Sequence, residues 1–116
     1  MSFTVNDWSR SMALETAAGI IRGEIGLLEG CIKLASLANG LVDDWTNDED
    51  FLVFGGIADE LDGCPVGIIR EYWSSEALQR EDKKIQEYEN KVRPIAFAAC
   101  KNILIRYRDN NGITIA

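Results

Sequence analysis

Between Lys33 and Arg70 the sequence holds no Lys or Arg, yet it carries eight carboxylates: Asp43, Asp44, Asp48, Glu49, Asp50, Asp59, Glu60 and Asp62. Acids gathered in this way either hold a cation or draw in a basic partner. The run "DDWTNDED" lacks the glycine at position six and the Glu at position twelve of an EF-hand loop, so it assigns no metal site. There is no histidine anywhere. That removes Ser/His/Asp and Cys/His nucleophile arrangements, His-ligated zinc and the Glu-x-x-His di-iron motif together. No catalytic residue and no cofactor is assigned, and the balance leans away from an enzyme.

The formal net charge is −7, but outside the basic-free interval eleven acids face twelve bases, so the remainder is close to neutral at +1. A local negative field repels nucleic acid and anionic membrane and favours a basic protein. The expected contact set is Asp43, Asp44, Trp45, Asp48, Glu49, Asp50, Asp59, Glu60 and Asp62. Within it Trp45 reads either as the aromatic anchor of an interface or as the plug of a core. An immunity protein that neutralises a toxin, or a nucleic-acid mimic, would suit such an acidic chain. The alternative is a small helical ligand-binding protein or enzyme with a small-molecule pocket, the candidate ligand-binding residues being Arg70, Tyr72 and Trp73 beside the glycine face. There Arg70 would hold a carboxylate or phosphate, although pairing with a nearby acid is its simpler role.

That glycine face is "GIIRGEIGLLEGC", with Gly19, Gly23, Gly26 and Gly30 at intervals of four, three and four. The spacing matches neither a phosphate loop nor a dinucleotide loop. Arg22, Glu24 and Glu29 exclude a membrane dimer stripe. Close helix packing with a break or C-cap at Gly23 is the reading that remains, because four interior glycines would cost one unbroken helix roughly 2 to 4 kcal/mol.

The elements follow from apolar spacing. A first helix is expected from about residue 7 to 22, with Trp8, Met12, Ala13, Ala17, Ile20 and Ile21 facing a core. A second, broadly apolar helix ends at Asn39-Gly40, and 42–50 reads as a loop. "FLVFGGIADEL" suits a short helix, but its "FLVF" run also suits a buried strand. After a turn at Asp62-Gly63 and Pro65, "VGIIREYW" is a connector in which Trp73 would staple the following helix. That helix is long. It starts at Ser74 or Ser75 and carries a stripe of Leu78, Ile85, Tyr88, Val92, Ile95, Ala96, Ala99, Ile103 and Tyr107. Pro94 is expected to kink or divide it, and "DNNG" to end it before an "ITIA" tail. Glu76 with Arg80, Glu87 with Lys91 and Glu89 with Arg93 are spaced for ion pairs.

Three stretches, "GLLEGCIKLASL", "DEDFLVFGGIADELDGCPVG" and "EYWSSEAL", resemble in order the motifs of a family of small bacterial proteins of unknown function. The resemblance covers roughly residues 17 to 107 and implies a bacterial, cytoplasmic, single-domain protein, without transferring any site.

The 116 residues, 47% hydrophobic and 27% charged, fit one globular domain with its own core. No apolar run approaches the length of a membrane span, and the opening decapeptide lacks the features of a secretory signal. Cys31, Cys64 and Cys100 cannot all pair within one chain and are too widely spaced for a metal knuckle. Cys31 and Cys100 sit in apolar segments and read as core thiols. The fold class is therefore all-α, an antiparallel bundle of four to five helices in one domain, and a hairpin of this kind often forms a homodimer.

Overall fold

The computed structural model describes residues 5–108, apart from the Val5 side chain; Thr4, the "DNNG" stop and the tail lie outside the described residues. Four α-helices, α1 (Val5–Arg22), α2 (Leu27–Leu37), α3 (Glu49–Glu60) and α4 (Ser75–Tyr107), are joined by 3-10 turns at Ala38–Gly40, Trp45–Asn47 and Gly67–Tyr72. Among the described residues there is no strand, so "FLVF" is helical. The helices form a ring: α1 packs on α2, α2 on α3, α3 on α4, and α4 back on α1. Successive helices run antiparallel, which makes the chain an up-and-down four-helix bundle.

Asp48 decides the fate of "FLVF". Its carboxylate accepts from the backbone N–H groups of Asp50 and Phe51 at 3.1 and 3.2 Å, and Glu49 and Asp50 fill the first turn at the positive end of the helix dipole. Phe51, Phe54, Ile57 and Leu61 then fall on one buried face, with the two Phe rings edge to face at 5.9 Å. They meet Leu27, Leu28, Cys31, Leu34 and Leu37 of α2, Ala13, Ala17 and Ile20 of α1, and Ala96, Ala99, Cys100 and Ile103 of α4.

The glycine pattern is packing and turn. Gly23 has a φ of +78°, its N–H donates to the Ile20 carbonyl, and the Glu24 N–H donates to that of Gly19, which together form a Schellman end to α1. Gly19 and Gly30 leave room for the side chains of Ile25 and Ile20, so α1 and α2 close tightly. An Ala at Gly23 must adopt a left-handed backbone and is expected to cost about 1 kcal/mol. Gly56 is helical and exposed, and a methyl group there would have no neighbour within 4 Å, so Ala should instead gain about 0.5 to 1 kcal/mol. Urea titrations of the two variants check the opposite signs.

The long helix runs unbroken through Pro94, which stands exposed on its outer side. By the 1.5 Å rise its 33 residues span about 50 Å, matching the 51 Å longest dimension of the molecule, so α4 is the spine of the bundle. Ser74 caps it by accepting from the Ala77 N–H at 3.1 Å, and Trp73 at the preceding position is half-buried. Of the three spaced pairs only Glu89 with Arg93 closes; the other two form no ion pair among the described residues.

Two core expectations are corrected. Trp8 is 49% exposed, because α1 turns Ser9, Ala13, Thr16, Ala17 and Ile20 inward, and Ser9 lies against the Gly40 backbone. Ile95 is 55% exposed, on the edge of the α4 stripe that faces the shallow channel beside α3.

Candidate functional site

The carboxylates of residues 43–62 divide into those the fold uses and those it leaves outside. Arg106 grips Asp48 through both of its terminal nitrogens, at 2.9 and 2.8 Å, and reaches Asp50 at 3.0 Å. The second oxygen of Asp50 accepts from Asn102 Nδ2 at 3.0 Å. The guanidinium also lies over the Phe51 and Tyr107 rings, 5.7 and 5.2 Å from their centroids. This cluster ties the start of α3 to the end of α4. Hydrogen bonds from Arg106 hold the Asp48 carboxyl below the usual range, and the two acids raise the guanidinium further.

Asp44 is turned to local work, accepting from the Thr46 hydroxyl and backbone and from the Asn47 amide, and these bonds lower its pKa. It remains exposed. Trp45 is half-buried and lies on Gly55, where a methyl group would come within 2.7 Å of its ring, so it acts as a plug between the 45–47 turn and α3. Asp43, Glu49, Asp59, Glu60 and Asp62 are exposed and form no salt bridge among the described residues.

The proposed ligand residues do not converge. Arg70 makes a two-pronged bond to Asp82 at 2.6 and 3.0 Å and donates to the Pro65 carbonyl at 3.2 Å. This pairing raises the Arg70 pKa and lowers that of Asp82. The depression beside it, about 150 Å³, is bordered by Gly26, Glu29, Pro65, Gly67 and Glu89, and neither Tyr72 nor Trp73 lines it. Tyr72 is 86% exposed, in the same turn as exposed Ile68 and Ile69. A second cleft of about 340 Å³ does run over Gly23 and Gly26, but its arginines are engaged, Arg22 with Glu24 and Arg93 with Glu89 and the Phe97 ring.

A recess of about 440 Å³ lies between α3 and α4, floored by Leu52, Val53, Gly56, Tyr88, Val92 and Ile95 with Glu60 at its edge. Apolar spacing alone puts Ile95 in the core and so hides this recess; the signal for it is a stripe on α4 wider than one neighbouring helix can cover. Cys31 and Cys100 are buried against each other, and that contact together with burial pushes the Cys31 thiol up, away from the reactive thiolate. Among the described residues no three His, Cys, Asp or Glu side chains gather as a metal-holding group, and no helix is long and apolar enough to cross a membrane.

Fold and surface together define an acidic up-and-down helical bundle. No protein-family model, curated protein or solved structure matches the chain.

Proposed function

We propose that the protein is a non-enzymatic binding module that captures a basic protein on the outward carboxylates of residues 43–62. The observation that carries this reading is that Asp43, Glu49, Asp59, Glu60 and Asp62 are exposed and form no salt bridge among the described residues, in an interval that supplies no base. Unneutralised charge of one sign speeds the encounter with an oppositely charged partner. The acids whose pKa values are displaced, Asp44, Asp48 and Asp82, are displaced downward by hydrogen bonds, so they are fixed acceptors and not proton donors near neutral pH. The alternative ligand site has less behind it, since Arg70 is bonded to Asp82 and the adjoining depression falls below the roughly 300 Å³ at which ligand pockets begin.

The test compares the wild-type protein with the variant Asp43→Asn, Glu49→Gln, Asp59→Asn, Asp62→Asn. All four side chains are exposed and none forms a salt bridge among the described residues; only Glu49 supports α3, weakly and through the helix dipole, so the variant should keep its helicity. Affinity capture from native cell extract at low and high salt should retain a basic protein on the wild type at low salt only. Association of that protein with the variant should be about tenfold slower, with a flatter salt dependence. An association rate that does not change on neutralisation would remove the reading.

A further inference from the structure

The recess between α3 and α4 flanks the acidic surface, yet no described residue fills it. It runs from Leu52 to Glu60 on one wall and from Tyr88 to Ile95 on the other, about 10 to 12 Å or two helical turns by the 1.5 Å rise. The two helices are antiparallel, so Leu52 shares one end with Ile95 and Glu60 shares the other with Tyr88. Burial and then the Glu60 charge raise the Tyr88 phenol, which marks these two as neighbours. Leu52 and Ile95 stand 47% and 55% exposed, leaving apolar surface in water. Gly56 lies between the two ends, where a methyl group would meet nothing within 4 Å. The helix forgoes propensity there for room that no described residue uses.

Glu60 is the one charged group bordering the recess among the described residues; exposed Lys84, Glu87 and Lys91 alternate in sign along α4 and do not border it. Exposed Glu49 and Asp59 extend the acidic side of α3. Together these select an occupant with an apolar face and a positive edge. Among the described residues there is no strand whose edge an extended peptide could join. A groove between two helices takes a third, whose side chains at i, i+4 and i+7 cover two turns.

We propose that the basic partner lays one amphipathic helix in this recess, its apolar side chains over Gly56 and against Leu52 and Ile95, and an arginine at the edge on Glu60 and the Tyr88 ring. The proposal rests on the acidic-face reading and names the element by which that partner is held. Charge on residues 43–62 brings the partner in, and burial of Leu52 and Ile95 keeps it there. An arginine suits the edge because its guanidinium can bond a carboxylate while stacking on an aromatic ring.

Fluorescence anisotropy of the full chain with three labelled peptides of about 18 residues tests this. The first carries leucines on one helical face and arginines on the other, the second has the same composition with its leucines dispersed, and the third replaces arginine with glutamate. At low salt the first should bind in the micromolar range, the second about tenfold more weakly and the third not at all. Gly56→Leu, which plugs the recess and leaves every acid in place, should weaken the first peptide about 30-fold, and Ile95→Gln and Glu60→Gln about fivefold each. Circular dichroism should show all three variants as helical as the wild type. Equal affinity for the first two peptides, or a first peptide indifferent to Gly56→Leu and Ile95→Gln, would overturn the helix-in-recess proposal and leave capture by charge alone standing. Preference for the glutamate peptide would remove both readings. A wild type that forms a dimer broken by Ile95→Gln would put a second copy in the recess and likewise overturn the proposal.

Discussion

Arg106→Ala is expected to lower the unfolding free energy by about 2 to 3 kcal/mol, a large loss for a residue at the rim of the bundle. The guanidinium is one-third exposed, so solvent screening takes away much of the bare Coulomb attraction. What makes the loss large is what stays behind. Asp50 is only 7% exposed and would keep Asn102 as its one neutral donor, while Asp48 would continue to cap α3 without its counter-charge. Contact with the Phe51 ring adds about 0.5 to 1 kcal/mol. Arg106→Lys keeps the charge but not the fork that spans two carboxylates, and should recover less than half.

Acid works on this cluster with a definite sign. The folded-state pKa of Asp48 is depressed, chiefly by the Arg106 hydrogen bonds, so its contribution is complete above the unfolded carboxyl pKa of about 3.9 and is lost as the pH falls through the lower folded value. Arg106→Ala has little of that contribution to lose. The stability gap between wild type and variant should therefore be widest near neutrality and narrow below about pH 4. Urea unfolding followed by circular dichroism at several pH values measures it; a gap that stays constant into strong acid would mean that Arg106 acts by packing alone.

Gly30→Val should cost about 3 kcal/mol. A β-carbon at Gly30 would overlap both Cγ1 and Cδ1 of Ile20 and stand 3.2 Å from Cγ2 of Ile25. Ile20 is buried, so relieving the overlap means either pushing its side chain toward the cleft it borders or parting α1 from α2. Gly30→Ala should cost about 1 to 2 kcal/mol, since the gain of up to ~1 kcal/mol in helix propensity offsets part of the clash. A double-mutant cycle with Ile20→Val, which frees one methylene at the contact, should return about 1 kcal/mol only when the larger side chain occupies position 30. Thermal denaturation of the four proteins reads the coupling, and simple additivity would show that the two residues do not meet.

How far the sequence can be read depends on the range of the determining contact. The spine α4, the Gly23 turn and the buried thiols are set by residues within a few positions of one another, and periodicity suffices for them. "FLVF" is ambiguous in sequence because a short apolar run fits helix and strand equally; the Asp48 cap upstream is what selects helix. Trp8 reads as core because hydrophobicity ranks it above Ser9 and Thr16, whereas the side of α1 that fits against Gly40 and α4 accepts only small residues. The acidity of residues 43–62 is plain, but not which acids the fold consumes, because Arg106 lies 58 residues from Asp48. Likewise an acid partner for Arg70 is the simple expectation, but nothing local singles out Asp82, twelve residues on.

The ring of helices is closed by its first and last members, and these lie head to tail: Arg10 is near enough to Tyr107 to influence it, while Ile20 and Phe97 border one cleft at the opposite end. Residues 5 and 108 thus sit at the same end of the bundle. A tensile load applied between them would not shear the whole α1–α4 seam at once. It would open the seam like a zipper, starting at Arg10 and Tyr107 and advancing one helical turn at a time, so the molecule is mechanically soft along the line joining these residues even where its core is tightly packed.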